Sequence, residues 1–348
     1  MGVEGKMDIL LLGLGNVGRA FCELVENKSA LLKKKHGIDC RFVGIATRTR
    51  GSVVIPDGIS VRELLDREAS TGRLSSGTQS DTASSMVADM DYDLLVVCTS
   101  TTVRSPEVPM AYIRGALNRG INVITSNKGP LFLAAGELCD LARKKRARFL
   151  FEAAVMGGTP FFSFVRHCLG GSRIISCEGV MNTTSNYILD LMRGGSSFDD
   201  ALLDARRKGF AEADPTFDVE GWDSAVKGSI IAQVLMNSSP VPLESMDIEG
   251  ITQVSPGLLF ETARSGGAVR LLTKIDSESG RVSVSVGPEV LPDSNPLSRV
   301  HGATNGVLFV TDTLGEVFVA GGGVGPMHTA YSLLRDLIES AEPGNAGF

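Results

Sequence analysis

The sequence predicts an α/β protein that begins with a doubly wound parallel sheet and continues with a second, α+β domain. In about the first 150 residues, short apolar strands alternate with amphipathic helices, the pattern of a parallel sheet covered on both faces. The strand at 8–13 ends in glycines, and apolar residues recur at helical spacing over 19–35. After residue 152 helices and strands are grouped differently. At 348 residues the chain has the length of two ordinary domains.

The remaining elements are predicted from the same periodicities. In the first part, strands are expected at 41–46, 93–98, 122–125 and 147–151, and helices at 109–119 and 131–145. In the second part, the predicted helices are 160–169, 185–193, 198–208, 219–236 and 328–340. The predicted strands there are 174–180, 282–290 and 306–320, the last with a turn at 312–315.

Composition excludes several classes of protein. A net charge of −6 argues against a nucleic-acid partner, and the basic clusters at 33–35 and 144–146 are interpreted as solvated faces. No apolar run is long enough to span a bilayer, and the N-terminus lacks the apolar region of a signal peptide. The six cysteines form no CxxC pair. We expect reduced thiols, no membrane partner and a cytoplasmic location.

The run Gly13-Leu-Gly-Asn-Val-Gly18 follows a strand and opens a helix, which is the context of a Rossmann dinucleotide-binding turn. Gly13 would allow the tight turn, Gly15 the approach of the pyrophosphate, and Gly18 close packing of helix on strand. Asn16 and Val17 begin the helix whose N–H groups face the phosphates. The alternative is an ordinary glycine-rich turn. We expect an NAD(P) site.

The end of the second strand bears on the choice of cofactor. An NAD site usually has an acidic residue there to bind the ribose 2′-hydroxyl, and residues 46–50 contain none. Arg48 or Arg50 would instead pair with a 2′-phosphate, which favours NADP and leaves NAD possible. The alternative is that both arginines belong to a solvated loop.

Polar residues follow two more strands at the carboxyl edge of the sheet, where ligands bind in open α/β folds. Thr99 and Ser100 are candidates for contacts with the nicotinamide ribose, or else ordinary helix caps. Lys128 is expected at the same edge, in a turn stiffened by Gly129 and Pro130. It either faces the substrate or is solvated.

Acidic residues and a lysine are concentrated between residues 210 and 227. Asp223 and Lys227 are four residues apart at the start of a largely apolar helix, so they share one face. They form either a surface ion pair or a pair in a cleft. Hydride transfer to a carbonyl needs a cation or proton donor beside the developing alkoxide, which Lys227 would supply. Glu212 and Asp218 would suit the ammonium group of an amino-acid substrate.

Taken with these motifs, the chain resembles the homoserine dehydrogenase family over almost its whole length. The most specific match is Gly209-Phe-Ala-Glu-Ala-Asp-Pro-Thr-Phe-Asp218, followed by Asp223-Ser-Ala-Val-Lys227. The other matching segments are 13–18, 127–131, 152–160, 178–188, 323–325 and 329–330. The resemblance implies interconversion of L-homoserine and L-aspartate 4-semialdehyde with NAD(P)(H), in threonine and methionine biosynthesis.

The resemblance also implies roles for individual residues. Lys227 looks like the catalytic lysine, with Lys128 beside the reacting carbon and Asp223 in a positioning role. Substrate contacts are implied for Glu212, Asp218 and Thr184, and cofactor contacts for Thr99, Lys128 and Gly323. A sodium ion is implied at a loop that matches Glu152, Val155, Gly157 and Thr159.

Domain organisation and assembly follow from the same resemblance. We expect a dinucleotide-binding domain over 1–152 plus about 321–348, and a catalytic and dimerisation domain over 153–320 of a homodimer. The chain stops after the matched region, so we expect no threonine feedback through a C-terminal regulatory domain.

Three positions depart from the family pattern, and two other functions stay open. Thr183 and Met156 each stand where the family usually has glycine, and Val324 where it usually has alanine. Thr183 motivates a paralogue that acts on a related amino-acid semialdehyde. A non-catalytic NADP-binding sensor is a further alternative, against which Lys128, Asp223 and Lys227 argue, since a sensor does not need them.

Overall fold

The structure, a computed structural model, describes residues 5–74, 82–100, 103, 105–278 and 281–342. Up to residue 154, strands and helices alternate along the chain. The strands are β1 (Gly5–Leu12), β2 (Ile38–Ala46), β3 (Ser52–Val54), β4 (Leu94–Val97), β5 (Asn122–Thr125) and β6 (Phe149–Leu150). The helices are α1 (Asn16–Leu31), α2 (Val61–Thr71), α3 (Ala83–Asp89), α4 (Glu107–Asn118) and α5 (Lys128–Lys145). Leu32–His36 extend α1 by a π-helical turn.

In the second part of the chain, helices and strands alternate less regularly along the sequence. Its helices are α6 (Phe162–Cys168), α7 (Thr183–Arg193), α8 (Phe198–Arg207), α9 (Thr216–Val219), α10 (Trp222–Leu235), α11 (Pro256–Arg264) and α12 (Pro326–Ser340). Its strands are β7 (Ile174–Val180), β8 (Asp247–Ile248), β9 (Ala268–Glu278), β10 (Arg281–Leu291), β11 (Thr304–Thr311) and β12 (Gly315–Gly322). Short 3₁₀ turns lie at Glu152–Ala154, Leu243–Ser245 and Pro296–Arg299.

The chain divides into two compact units. Unit 1 comprises Met1–Ala154 and Pro326–Phe348, and unit 2 comprises Val155–Gly325. In unit 1, α12 packs against α1, so that Leu333 and Leu337 share a core with Phe21 and Val25. The last helix of the chain therefore belongs to the same core as the first.

The sheet of unit 1 has the order β3-β2-β1-β4-β5-β6. From β2 to β6 all neighbouring strands are parallel, as predicted, whereas β3 adds an antiparallel edge that the sequence analysis did not predict. The strand order reverses between β1 and β4, which lie side by side. In an open α/β sheet the carboxyl ends of such strands form the ligand crevice. Gly13 follows β1 and Cys98 follows β4, so both lie at this crevice.

Helix α2 was missed by the sequence analysis because its apolar stripe is short. Among its residues only Val61, Leu64 and Glu68 are buried. Its ends do carry signals, since Ser60 caps the first turn and Gly72 adopts a left-handed conformation after the last. These caps were the available evidence for the helix.

Helix α10 is buried, as the sequence predicted, but it begins later. The expected helix 219–236 is interrupted at Gly221, whose φ of 84° ends α9 and starts α10. Ala225, Val226 and Ile230 are fully buried. A Cβ at Gly228 would lie 2.6 Å from Val284 Cγ1, so the helix packs very closely on the sheet of unit 2. That sheet has the order β12-β11-β7-β9-β10-β8 and is antiparallel except for the β10–β8 pair.

Most of the cysteines are buried, whereas the basic clusters lie on the surface. No helix in the described ranges is long and apolar enough to cross a membrane. All six cysteines are free thiols, four of them buried, and burial raises the pKa of Cys98 to about 12. The basic clusters at 33–35 and 144–146 are exposed, as predicted.

Candidate active site

The glycine turn of unit 1 is held against the segment that follows β4. Gly13 has a φ of 99°, and a Cβ there would lie 2.5 Å from the Cys98 carbonyl. A Cβ at Gly18 would lie 2.2 Å from the Gly13 carbonyl oxygen. A Cβ at Gly15, in contrast, would have no neighbour within 4 Å. Two of the glycines are therefore required by packing, and the third leaves open space at the turn.

The N-terminus of α1 is suited to an anion. Gly15 is its N-cap and offers no side-chain acceptor, and the first turn contains no acidic residue. The first backbone N–H groups of a helix have no partner within the helix, and the helix dipole favours negative charge at that end. With the open space at Gly15, this end has the features of a cradle for the pyrophosphate of a dinucleotide.

The structure of the turn after β2 distinguishes Arg48 from Arg50, which were equal candidates for the 2′-phosphate from sequence. Thr47 accepts a hydrogen bond from the Arg50 backbone and donates one to the Gly51 carbonyl, at 3.0 and 2.9 Å. The Arg50 guanidinium is bound to the Glu68 carboxylate at 2.6 Å and to the Leu14 carbonyl at 2.7 Å. Arg48 is exposed. Of the two arginines, only Arg50 is tied to protein partners in the described structure.

Asn127 joins the segments that follow β4 and β5. Its Nδ2 donates to Thr99 Oγ1 at 2.9 Å and to the Ser100 carbonyl at 3.2 Å. Its Oδ1 accepts from Gly129 N–H at 2.9 Å and so caps α5. Thr99, Ser100 and Lys128 therefore lie at one edge of the sheet. Residues 101 and 102 of the same segment lie outside the described residues.

The prediction of a turn around Lys128 was wrong. Lys128 is the first residue of α5, with Asn127 as its N-cap. Gly129 and Pro130 belong to the first turn of that helix, where proline is tolerated because its missing N–H would have no intrahelical partner. The lysine side chain is half-buried.

Unit 2 contains a buried ion pair. Lys227 Nζ lies 2.6 Å from Asp223 Oδ2, with 11% and 8% of the two side chains exposed. Lys227 Nζ also donates to the Met181 carbonyl at 2.7 Å. An ammonium has three N–H donors, and these partners use two of them. Of the two readings of this pair, the structure rules out a solvated surface ion pair.

Asn182 is a member of this group that the sequence analysis did not assign. Its Nδ2 donates to Asp218 Oδ1 at 2.7 Å and to Asp223 Oδ2 at 2.9 Å. Its Oδ1 accepts from Ser185 N–H at 2.9 Å as the N-cap of α7. The amide thus bridges two carboxylates through charge-assisted hydrogen bonds. The available signal was an N-cap residue type two positions after β7, at the start of a predicted helix.

Thr184 and Asp218 lie together in the same group. Thr184 Oγ1 donates to the Phe210 carbonyl at 2.6 Å and is 3.3 Å from Asp218 Oδ2. Glu212 is exposed and has no hydrogen bond to this group among the described side chains. The structure therefore brings together four of the predicted residues, Thr184, Asp218, Asp223 and Lys227, but not Glu212.

The departure at Thr183 is accommodated locally. Thr183 is the first residue of α7, and its Oγ1 donates to Asn305 Oδ1 at 3.3 Å. The position has no positive φ, so the backbone does not require glycine there. Gly323 lies in unit 2, between β12 and α12.

The loop implied to hold a cation is largely buried. Glu152 lies at the end of unit 1, and its N–H donates to Asp336 Oδ2 at 2.9 Å. Val155 and Thr159 in unit 2 are buried, Gly157 is half-buried, and Thr159 Oγ1 donates to the Gly321 carbonyl at 3.2 Å. The described residues contain no cluster of three or more His, Cys, Asp or Glu suited to a metal. A cation at this loop would therefore depend on backbone oxygens, which hard cations accept.

The geometry supports proton transfer in unit 2 and dinucleotide binding in unit 1. A buried ammonium beside a carboxylate stabilises negative charge that develops on a nearby oxygen. Unit 1 offers helix N–H groups, open space at Gly15 and polar residues at the switch point of the sheet.

Family models of known proteins match both parts of the chain. The family model described as homoserine dehydrogenase matches residues 160–338, and that of the homoserine dehydrogenase NAD-binding domain matches residues 13–152. An NAD(+)-dependent homoserine dehydrogenase of Pseudomonas canavaninivorans is 34% identical over 334 residues, 95% of each chain. The crystal structure of a putative homoserine dehydrogenase from Archaeoglobus fulgidus has a TM-score of 0.85 at 34% identity, covering 96% of this chain and 98% of that one. A hyperthermophilic archaeal homoserine dehydrogenase in complex with NADPH has a TM-score of 0.81 at 30% identity, covering 97% and 98%.

The two kinds of glycine in the turn predict different outcomes of substitution. Gly18→Ala would force Cβ against the Gly13 carbonyl, so we expect a marked fall in melting temperature. Gly15→Ala has space for Cβ, so we expect an unchanged melting temperature and a dinucleotide affinity weaker by roughly tenfold or more, because Cβ would enter the pyrophosphate site. Thermal melts and calorimetric titration would measure both effects. Equal destabilisation by the two substitutions would contradict the assignment of Gly15 to the cofactor.

The Asn182 bridge predicts a pH-dependent defect. Asn182→Asp keeps the acceptor that caps α7 but adds a third carboxylate, and crowding raises the pKa of such groups. A proton bound at lower pH would restore a donor, so we expect a larger loss of kcat near pH ~8 than near pH ~6. Asn182→Ser keeps the cap and replaces the two-proton amide by one shorter hydroxyl, which cannot donate to both carboxylates, without adding charge. The loss of kcat in Asn182→Ser should be similar at both pH values. Identical pH profiles of kcat for the two variants would refute the bridging role.

Proposed function

The chain belongs to the homoserine dehydrogenase family, and we propose that it interconverts L-homoserine and L-aspartate 4-semialdehyde with NAD(P)(H). It is an oxidoreductase that acts on a CH–OH group. The observation that carries the proposal is the buried Lys227–Asp223 pair. It is a proton-transfer group of the kind that reduction of an aldehyde needs.

In the reductive direction, bound NAD(P)H would supply a hydride to the aldehyde carbon. The carbonyl π electrons move onto oxygen, and Lys227 Nζ donates the proton that converts the alkoxide to the alcohol. Asp223 holds the ammonium at 2.6 Å and Met181 fixes its direction through the carbonyl at 2.7 Å. Asp223 therefore acts as a positioning residue, and Lys227 as the catalytic acid. In the oxidative direction Lys227 takes the proton back.

Substrate recognition is proposed for three residues of unit 2. Asp218 and Glu212 would bind the ammonium group of the amino acid, and Thr184 would contact the substrate beside Asp218. The support is the Thr184–Asp218 contact at 3.3 Å and the sequence match around Glu212. Lys128 is proposed as a second catalytic lysine that also contacts the cofactor, at the edge that carries Thr99 and Ser100. Gly323 is proposed as a further cofactor contact.

For the cofactor we propose NADP(H), with NAD(H) also accepted. Arg48 is the candidate for the 2′-phosphate, since it is exposed and Arg50 is occupied by Glu68. The relatives include both an NAD(+)-dependent enzyme and a complex with NADPH, so family membership leaves the choice open. Arg48 is therefore the residue to test.

The other candidate functions are not favoured. A sensor needs neither a buried Lys227–Asp223 pair nor the Asn182 bridge beside it. A paralogue was motivated by Thr183, whose backbone has an ordinary conformation. We further propose a homodimer in the cytoplasm, a role in threonine and methionine biosynthesis, and a sodium ion bound through Glu152, Val155, Gly157 and Thr159. Analytical ultracentrifugation and activity in sodium-free buffer would test the first and the last.

The lysine assignment is tested by NAD(P)H oxidation with L-aspartate 4-semialdehyde. We expect turnover in the wild type and a loss of kcat of roughly a hundred- to ten-thousand-fold in Lys227→Ala, the range for a missing general acid. The matched control is Lys274→Ala, which breaks a more exposed 2.6 Å ion pair with Glu289 in the same unit. No turnover in the wild type would overturn the proposed function. An active Lys227→Ala variant would overturn only the lysine assignment.

The 2′-phosphate role of Arg48 is tested by comparing cofactors. Arg48→Ala should raise the KM for NADPH by about tenfold, the effect of losing a charge-assisted hydrogen bond, and leave the KM for NADH nearly unchanged. Arg62→Ala, at an exposed arginine of the same unit, controls for a general loss of positive charge. Equal effects of Arg48→Ala on both cofactors would refute the assignment.

A further inference from the structure

Glu68 is a buried acid in unit 1 to which the proposed reaction gives no role. Only 7% of its surface is exposed. Its Oε1 pairs with Arg19 Nη2 and with Arg50 Nη1, the latter at 2.6 Å. Its Oε2 is also buried and has no hydrogen-bond partner within the described residues. One carboxylate thus neutralises two guanidinium groups, and its second oxygen is a buried acceptor that finds no partner among the described residues, which costs free energy.

The two arginines connect Glu68 to the glycine turn. Arg50 Nη2 donates to the Leu14 carbonyl at 2.7 Å, within the run Gly13–Gly18. The Arg19 backbone N–H donates to the Gly15 carbonyl at 2.9 Å. The Glu68 carboxylate is therefore one side chain away from the turn that would receive the pyrophosphate.

Chain topology places the Arg50 side of this group just after β2, where dinucleotide-binding folds receive the adenosine ribose. In dinucleotide-binding folds an acidic residue at the end of the second strand binds the ribose 2′-hydroxyl, and an arginine nearby accommodates a 2′-phosphate. Here the end of β2 has no acid, and Arg50 lies four residues after it. Glu68 brings a carboxylate to that arginine from α2 instead.

The carboxylate is ionised at neutral pH. Hydrogen bonds from Arg19 and then Arg50 lower the pKa of Glu68 below its usual value, against the opposing effect of burial. A 2′-phosphate, with a charge of roughly −1.5 to −2, would have to compete with Glu68 for Arg50 or lie beside a second anion. A 2′-hydroxyl meets no such repulsion.

We propose that Glu68 is a specificity-determining residue that weakens binding of the 2′-phosphate by occupying Arg50 and Arg19, and so keeps NAD(H) competitive with NADP(H). The proposal rests on the dinucleotide site of the proposed function. Glu68 would disfavour NADP(H), whereas Arg48 would favour it, and the two residues together would set the cofactor preference. A purely structural role, in which Glu68 only ties α2 to α1, is the competing explanation.

Calorimetric titration with NADP⁺ and NAD⁺, which differ only in the 2′-phosphate, distinguishes the two roles without catalysis. Glu68→Gln keeps the shape and removes the charge. We expect the ratio of the Kd for NAD⁺ to that for NADP⁺ to rise by roughly ten- to a hundredfold, because a like charge near the phosphate is gone. Glu63→Gln, at an exposed position of the same helix, is the matched control for net charge.

The double variant Glu68→Gln with Arg50→Ala identifies the group that Glu68 withholds. The double variant should lose most of the rise in the Kd ratio, because the guanidinium of Arg50 that Glu68→Gln releases is the expected ligand of the phosphate. Melting temperatures of all variants show that they are folded. A Glu68→Gln variant with an unchanged Kd ratio, or one matched by Glu63→Gln, overturns the proposal while leaving the dehydrogenase function intact. Failure of the wild type to bind either dinucleotide overturns both.

Discussion

Removing a charge from water is expensive unless an opposite charge and hydrogen bonds replace the lost hydration, and the polar group around Lys227 in unit 2 depends on this constraint. Lys227 lies on α10, a helix that is otherwise packed into the core. Its ammonium is retained there because Asp223 and the Met181 carbonyl lie within 2.7 Å. Asp223 in turn needs Asn182, which also binds Asp218. A residue in the connection from β7 to α7 therefore helps to hold a lysine of α10 through Asp223.

The same constraint governs the cofactor part in unit 1, with the signs reversed. There the buried charge is an anion, Glu68, and two arginines compensate it. Because one of these also binds the Leu14 carbonyl, charge compensation and the shape of the glycine turn are coupled. In unit 2 the arrangement leaves one N–H donor of Lys227 for the proposed substrate, whereas in unit 1 it occupies a guanidinium that the proposed 2′-phosphate would use.

Local patterns in the sequence predicted the parts of the fold and site that arise from local chemistry. The glycine turn and the buried face of α10 are encoded within a few residues, so periodicity and spacing revealed them. The bridges of Asn182 to Asp218 and of Asn127 to Thr99 join residues 36 and 28 positions apart. Such contacts depend on which helices and strands are neighbours in the fold, and no periodicity reports that. Helix α2, and with it Glu68, was missed because one turn of apolar contact gives a weak periodic signal.

Met156 is a residue with a side chain in a backbone conformation that favours glycine. It has a φ of 52°, in the left-handed region, where the resemblance leads one to expect glycine. That conformation costs a side-chain-bearing residue about 1–2 kcal/mol. The Met156 side chain is buried, and burying a methionine contributes about 1.5–3 kcal/mol, which offsets the strain. The path of the loop is therefore set by its burial and by the hydrogen bond from Thr159 N–H to the Met156 carbonyl, at 2.8 Å, and not by glycine as such. The proposed cation site, which would use backbone carbonyls of this loop, is thus compatible with methionine at this position.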